Sequence, residues 1–217
     1  MSDSLLRRAM TKLATALATA LVIFVGCSKD TPSKPALAQQ PQATASFHAP
    51  PPGNFQVDTR HSTVMFRVRH VAASNIYGWF KDFSGKFSID ADPKKSRIEL
   101  VVKAGSVDTR DSERDADLTG PDFFNAQQFP EMAFSSTAVE LTSSGWQVTG
   151  DLTLHGVTKP VTFSAVLVGD AMSPHGYRVV GLEARAKIDR RLFGISFLPE
   201  AVAPEVELII AVEGMAV

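Results

Sequence analysis

The chain has 217 residues, a formal net charge of −1 and a charged fraction of 21%, the size and balance of one or two globular domains. Before residue 54 it carries five lysines and arginines against two aspartates, a net of +3, which leaves −4 for residues 54–217. A mildly acidic domain without a basic stripe excludes nucleic acid as the expected partner.

In chain order, Arg7, Arg8 and Lys12 precede an apolar run of 14 residues from Leu13 to Gly26. That run is too short for an ordinary membrane span of about 20 residues and has the build of a secretory signal, started at Met1 or at Met10. Cys27, the only cysteine, follows Phe24-Val25-Gly26. This resembles the lipobox of bacterial lipoproteins, with Phe24 where leucine is usual. The resemblance implies that residues 1–27 end in a lipidated cysteine, and Ser28 after it implies delivery to the outer membrane. Cleavage after Ala36-Leu37-Ala38 is the alternative. Residues 28–53 hold six prolines and hardly a large apolar side chain, so they cannot bury a core and read as a disordered linker.

From residue 54 the pattern becomes strand after strand. After a short opening strand at Asn54–Asp58, Ser62–His70 places Val64, Phe66, Val68 and His70 on one face and Met65, Arg67 and Arg69 on the other, the period of a strand with one buried side. Ile76–Lys81 reads as a bend or strand edge. Lys86–Ala91 follows with Phe87 and Ile89 inward, then Arg97–Lys103 with Ile98, Leu100 and Val102 inward. Later strands place Met132, Phe134 and Ser136 together, then Val148, Leu152 and Leu154, then Val161, Phe163, Ala165 and Leu167. The even positions of 180–188 and of 206–212 close the chain. About eight long strands joined by short turns predict an antiparallel meander that closes into a barrel or packs as a sandwich. Closure is favoured because a long apolar edge strand invites aggregation. A filled core and a ligand-sized cavity are both consistent with the apolar inward faces.

The longest break in this pattern is Asp108–Met132. Asp108 is the expected N-cap of a short helix carrying Asp111 and Glu113 in its first turns, and Gly120 ends it. Pro121 suits the start of a second helical turn, whose adjacent Phe123 and Phe124 point about 100° apart, one toward a core and one toward a rim.

The segments DTRHSTVMFRVRH from Asp58, GWFKDFSGKF from Gly78, RDADLTGPDFFNAQQFP from Arg114, LTLHGVTKPV from Leu152 and IDRRLFGI from Ile188 resemble, in this order, the YceI-like family. The resemblance implies that residues 54–217 form an all-β, eight-stranded antiparallel, lipocalin-like barrel with one short helical segment around residues 109–126. It further implies a long-chain isoprenoid or other lipid held in an apolar tunnel, in the periplasm, without another cofactor. The expected ligand-binding residues are then Phe66, Val68, Phe80, Phe87, Leu100, Phe123, Phe124, Phe134 and Phe163. Asp117 stands where many family members have histidine, which puts any head-group contact from that position in doubt.

His61, His70 and His155 with Asp58, Asp115 and Asp117 offer ligands for a metal or a catalytic dyad on paper. No HxxxH, HxH, HExxH or GxSxG spacing occurs, so no metal site and no catalytic residue is assigned. His155 before Gly156 reads as a turn residue, His70 as a satisfied core histidine, and Arg190 and Arg191 beside Asp189 as a rim ion pair. The expected protein is a non-enzymatic binder of a long apolar ligand, attached to the membrane through an N-terminal lipid, for which a homodimer is a compatible assembly. The alternatives are an accessory to a quinone-linked redox system and a trap for exogenous hydrophobic compounds.

Overall fold

The computed structural model describes residues 50–217; the leader, Cys27 and the linker up to residue 49 lie outside the described residues. The strands are β1 (Gly53–Val57), β2 (Thr63–His70), β3 (Ser74–Phe80), β4 (Phe83–Ile89), β5 (Arg97–Lys103), β6 (Val107–Asp108), β7 (Glu131–Thr142), β8 (Gly145–Leu154), β9 (Val157–Met172), β10 (Arg178–Asp189) and β11 (Val202–Ala216). One helix, α1 (Ser112–Thr119), interrupts them between β6 and β7. The order β1-β4-β5-β7-β8-β9-β10-β11 is antiparallel throughout, and β11 returns to β1 with Phe55 opposite Ala216 and Val57 opposite Gly214. Eight strands therefore close into a barrel, and no long edge is left around its middle.

The remaining three strands extend this barrel past a crease. β2 continues β1, β3 leads into β4, and β6 follows β5, so each of the first three walls is one strand broken once; Ile76–Lys81 is full strand rather than a bend. The crease is stitched by local bonds. The Asp58 amide donates to the Glu213 carbonyl at 2.8 Å, and the Ser62 hydroxyl accepts from the Glu213 amide at 3.0 Å, so β11 stays bonded where its partner loops out. The buried Asp58 carboxylate accepts from His61 Nδ1 and from the Arg60 amide, each at 2.9 Å. These two bonds, the His61 one foremost, hold its carboxyl below the usual range. Lys81 donates its amide to Ser106 and Lys103 to Asp82, bridging the other two breaks.

Twelve of the chain's fourteen phenylalanines lie in residues 54–217 and could fill such a barrel. They leave it hollow because rings lie flat along the wall over glycines. A Cβ on Gly78 would sit 2.4 Å from the Phe66 ring, one on Gly214 2.3 Å from Phe87, and one on Gly150 2.5 Å from Phe134. Any side chain at those positions would lift a ring into the centre. The inward residues Leu182, Ala184, Leu208, Ile210 and Val212 consequently keep accessible surface although they point into the barrel.

One end of the barrel is covered by α1 and the loop after it. The N-cap is Asp111, which accepts from the amides of Glu113 and Arg114; Asp108, the expected cap, instead accepts from the Arg110 amide and pairs with Lys81. Gly120 ends the helix as expected. Residues Pro121–Phe124 form turns, not a second helix, tied by Phe124 N–H to Leu118 O and Asn125 N–H to Gly120 O. Arg114 and Asp115 clamp the helix to the strand exit. Thr109 donates its amide (2.8 Å) and hydroxyl (2.6 Å) to Asp115, and Arg114 donates to the Thr109 hydroxyl and carbonyl. At the opposite end Arg178 pairs with Asp170 and donates to the carbonyls of Pro51 and Pro52, fixing where the chain enters.

Candidate functional site

Three chambers lie in line inside the barrel, of ≈ 100, ≈ 70 and ≈ 90 Å³ measured as space open to the centre of a water-sized sphere. The outer one, near Trp146 and Val212, shares Leu100, Phe134, Phe163 and Ile210 with the middle one. The middle one shares Phe80, Met132, Leu154, Ile188 and Leu208 with the chamber under the helix. Shared walls make one tunnel of three lobes. A water needs about 10–15 Å³ on this measure and two to four polar partners; each lobe has the room, but the walls offer almost no partners. The tunnel is suited to hydrocarbon. Its length follows from β11: Val202 to Val212 is ten steps of about 3.3 Å, roughly 25 Å along the axis after a barrel tilt of about 40°.

All nine residues expected from the sequence line this tunnel. Phe87 faces the outer chamber; Leu100, Phe134 and Phe163 stand between the outer and middle ones; Phe80 joins middle and end; Phe66, Val68, Phe123 and Phe124 surround the end. The two adjacent phenylalanines divide between core and rim as expected, although turns rather than a helix set them apart. Phe124 packs inward on Phe80 (5.6 Å between ring centres) and Phe66 (6.3 Å), whereas Phe123 meets Phe197 of the rim edge-on at 5.6 Å. The expected list omits the aliphatic half of the wall: Leu182, Ala184, Ile188, Leu208 and Ile210 of β10 and β11. Their even-position alternation was the available signal.

Polar candidates fall elsewhere. Asp117 is exposed on the outer side of α1, and its neighbour Leu118 is the residue that reaches the end chamber. His155, at positive φ (52°), and Gly156 form the tight β8–β9 turn, where Nδ1 donates to the Phe193 carbonyl and the ring packs edge-on against Phe129. His70 is half-buried at the end of β2, not in the core. Among the described residues Asp58, His61 and Glu213 alone come close enough together to share a metal ion; they belong to the crease on the barrel wall and do not line the tunnel.

Arg190 and Arg191 part company. Arg191 pairs with Asp189 at 2.6 Å on the surface and holds that carboxyl down to about 2, as a rim ion pair should. Arg190 is buried instead, its hydrocarbon lining the end chamber. Its guanidinium donates to four main-chain carbonyls, of Ile195 (3.1 Å), Phe197 (2.8 Å), Val202 (2.7 Å) and Ala203 (3.1 Å), and desolvation lowers its pKa from the usual arginine value. Adjacent positions of one short 3-10 turn (Arg190–Phe193) face opposite ways, which the doublet alone did not reveal.

A closed barrel, hollow along its axis and apolar inside, defines a binding protein for hydrophobic ligands. The chain belongs to the YceI-like family, whose domain model matches residues 55–214. It is 41% identical over 157 residues to Protein YceI of Escherichia coli O17:K52:H18, covering 72% of this chain and 82% of that one. The Campylobacter jejuni YceI crystal structure has a TM-score of 0.62 at 29% identity, covering 69% of this chain and 90% of that one. A polyisoprenoid binding domain from Saccharophagus degradans shares the fold with a TM-score of 0.50 at 14% identity, over 75% of this chain and 98% of that one.

Proposed function

We propose that the protein carries or sequesters a long-chain apolar molecule, such as a polyisoprenoid, an isoprenoid quinone or a fatty-acid derivative, in the bacterial cell envelope and without a covalent step. The observation that carries this reading is the three-lobed apolar tunnel. Each methylene moved from water into it contributes about 0.8 kcal/mol, so a chain filling about 25 Å, about 20 methylenes, gains about 16 kcal/mol and reaches micromolar affinity after about 8 kcal/mol of association and ordering costs. Recognition in such a channel is by length and shape. The solved relative described as polyisoprenoid-binding supports the same ligand class. Native mass spectrometry with lipid extraction, on protein purified from its own host, is expected to find a co-purifying long-chain molecule. No such molecule, and no uptake of one afterwards, would remove the proposal.

The envelope location rests on the apolar leader and the lipobox-like Phe24-Val25-Gly26-Cys27. A lipid on Cys27 followed by a linker of 26 residues would let the barrel stand roughly 25 to 30 Å from an outer-membrane surface. Cys27→Ser should move the protein from the membrane to the soluble fraction. An unchanged distribution would sink the lipoprotein assignment but not the ligand.

A further inference from the structure

Beside the helix-covered end of the tunnel, two loops present large apolar side chains to solvent on a backbone those residues rarely adopt. The β2–β3 connection, residues 71–73, turns on Val71 and Ala72, with the Ala73 amide donating to His70 O at 2.9 Å and positive φ at both central positions, 41° at Val71 and 56° at Ala72. Turns of that class favour Asn-Gly, and positive φ in a β-branched residue is a marked outlier. Leu198, in the loop between the 3-10 turn and β11, also has positive φ (49°). The two loops touch, since the Val71 amide donates to Ala201 O, and the Ala201 amide donates to Leu198 O. Val71 is 53% exposed, and Phe197 and Leu198 are each 45% exposed. Local preference is broken twice at one place, and both times the outcome is an apolar group in water.

Phe197 links this rim to the tunnel, because its ring meets Phe123, which lines the end chamber. The tips themselves are uncharged. The nearest charged side chains in sequence are Arg69, whose guanidinium is bonded to Ala72 O, and Glu200, an acid that disfavours an anionic surface. We infer that the rim formed by Val71, Ala72, Phe197 and Leu198 inserts into the surface of a zwitterionic lipid bilayer and places the end of the tunnel against it. The purpose of this contact, exchange of the ligand with the membrane, rests on the carrier reading above; the contact itself does not require a ligand.

The test uses the chain from Ser28 onward, free of the apolar leader and containing the whole barrel, which closes on itself between residues 53 and 216. Co-sedimentation of ligand-free protein with phosphatidylcholine vesicles is compared with that of a Val71→Asn, Ala72→Gly, Leu198→Asn variant. All three substitutions suit positive φ, so thermal stability should hold or rise, while partition to vesicles falls roughly tenfold with the lost apolar groups and neither value depends on salt. The control is Val168→Asn with Met172→Asn, each side chain 66% exposed on the part of β9 that runs past β8; it should partition like the parent. Absence of vesicle binding by the parent, an unchanged triple variant, or an equal loss in the control would overturn the inference. Vesicle binding as expected from a protein that takes up no long-chain molecule would instead leave the rim standing and remove the carrier reading.

Discussion

Ala184→Phe is expected to abolish binding of long ligands while leaving the barrel folded. Ala184 lies on β10, opposite Ala165 of β9 and Ile210 of β11, and its methyl group faces the outer chamber. A benzyl group there would project across the outer lobe and cut the tunnel to its middle and helix-end parts. A chain that spans all three lobes would lose the burial of about five methylenes, about 4 kcal/mol or a thousandfold in affinity. A shorter chain that needs only two lobes should bind as before. Filling an existing cavity removes the usual penalty of overpacking, so the melting temperature should stay level or rise slightly. Displacement of a fluorescent long-chain probe and of a short one, alongside thermal unfolding, decides the matter. Equal affinity for the long probe would mean that the ligand does not lie along the axis; a large fall in melting temperature would mean that Ala184 faces packed core.

This prediction depends on the tunnel being hollow, and the sequence could not settle that. Periodicity placed Phe66, Phe87, Phe134 and Phe163 inward, which is equally the signature of a filled core. What distinguishes the two is where each ring lies, and that is set by Gly78, Gly150 and Gly214 on the wall. A glycine within a strand is a legible sign of close approach, but its partner stands across the sheet and is known only once register is known. Most of the long strands were legible because alternation survives in them, as in β2, β5, β8 and β11, whereas Ile76–Lys81 of β3 and the two-residue β6 were not. The crease was not, because a break such as Asp58–Ser62 looks like an ordinary turn until β11 is seen running unbroken past it. The helix cap moved from Asp108 to Asp111 for a related reason. Both offer a carboxylate near free amides, and only the Thr109–Asp115 clamp fixes which one starts the helix.

Arg190→Met should cost the fold about 4 kcal/mol. The reason begins with residues 195–203, which cross the barrel end from the 3-10 turn into the first residues of β11 and must satisfy their carbonyls without a full strand ladder. One guanidinium bonds four of those carbonyls at 2.7 to 3.1 Å. Methionine would retain most of the apolar contact with the end chamber and none of the donors, leaving buried acceptors unpaired at about 1–3 kcal/mol each where water cannot reach them. Lysine has three donors on one nitrogen and cannot span the same arc, so Arg190→Lys should recover no more than about half of the loss. Because Ile195 and Val202 line the end chamber, the same variants should loosen its wall. Amide exchange in 195–203 should quicken before global unfolding, and a bound chain should leave faster, while Arg191→Met, which breaks only an exposed ion pair, does neither. Urea unfolding together with hydrogen exchange separates these outcomes. A loss under about 1 kcal/mol for Arg190→Met would show that water replaces the guanidinium and that the loop holds itself.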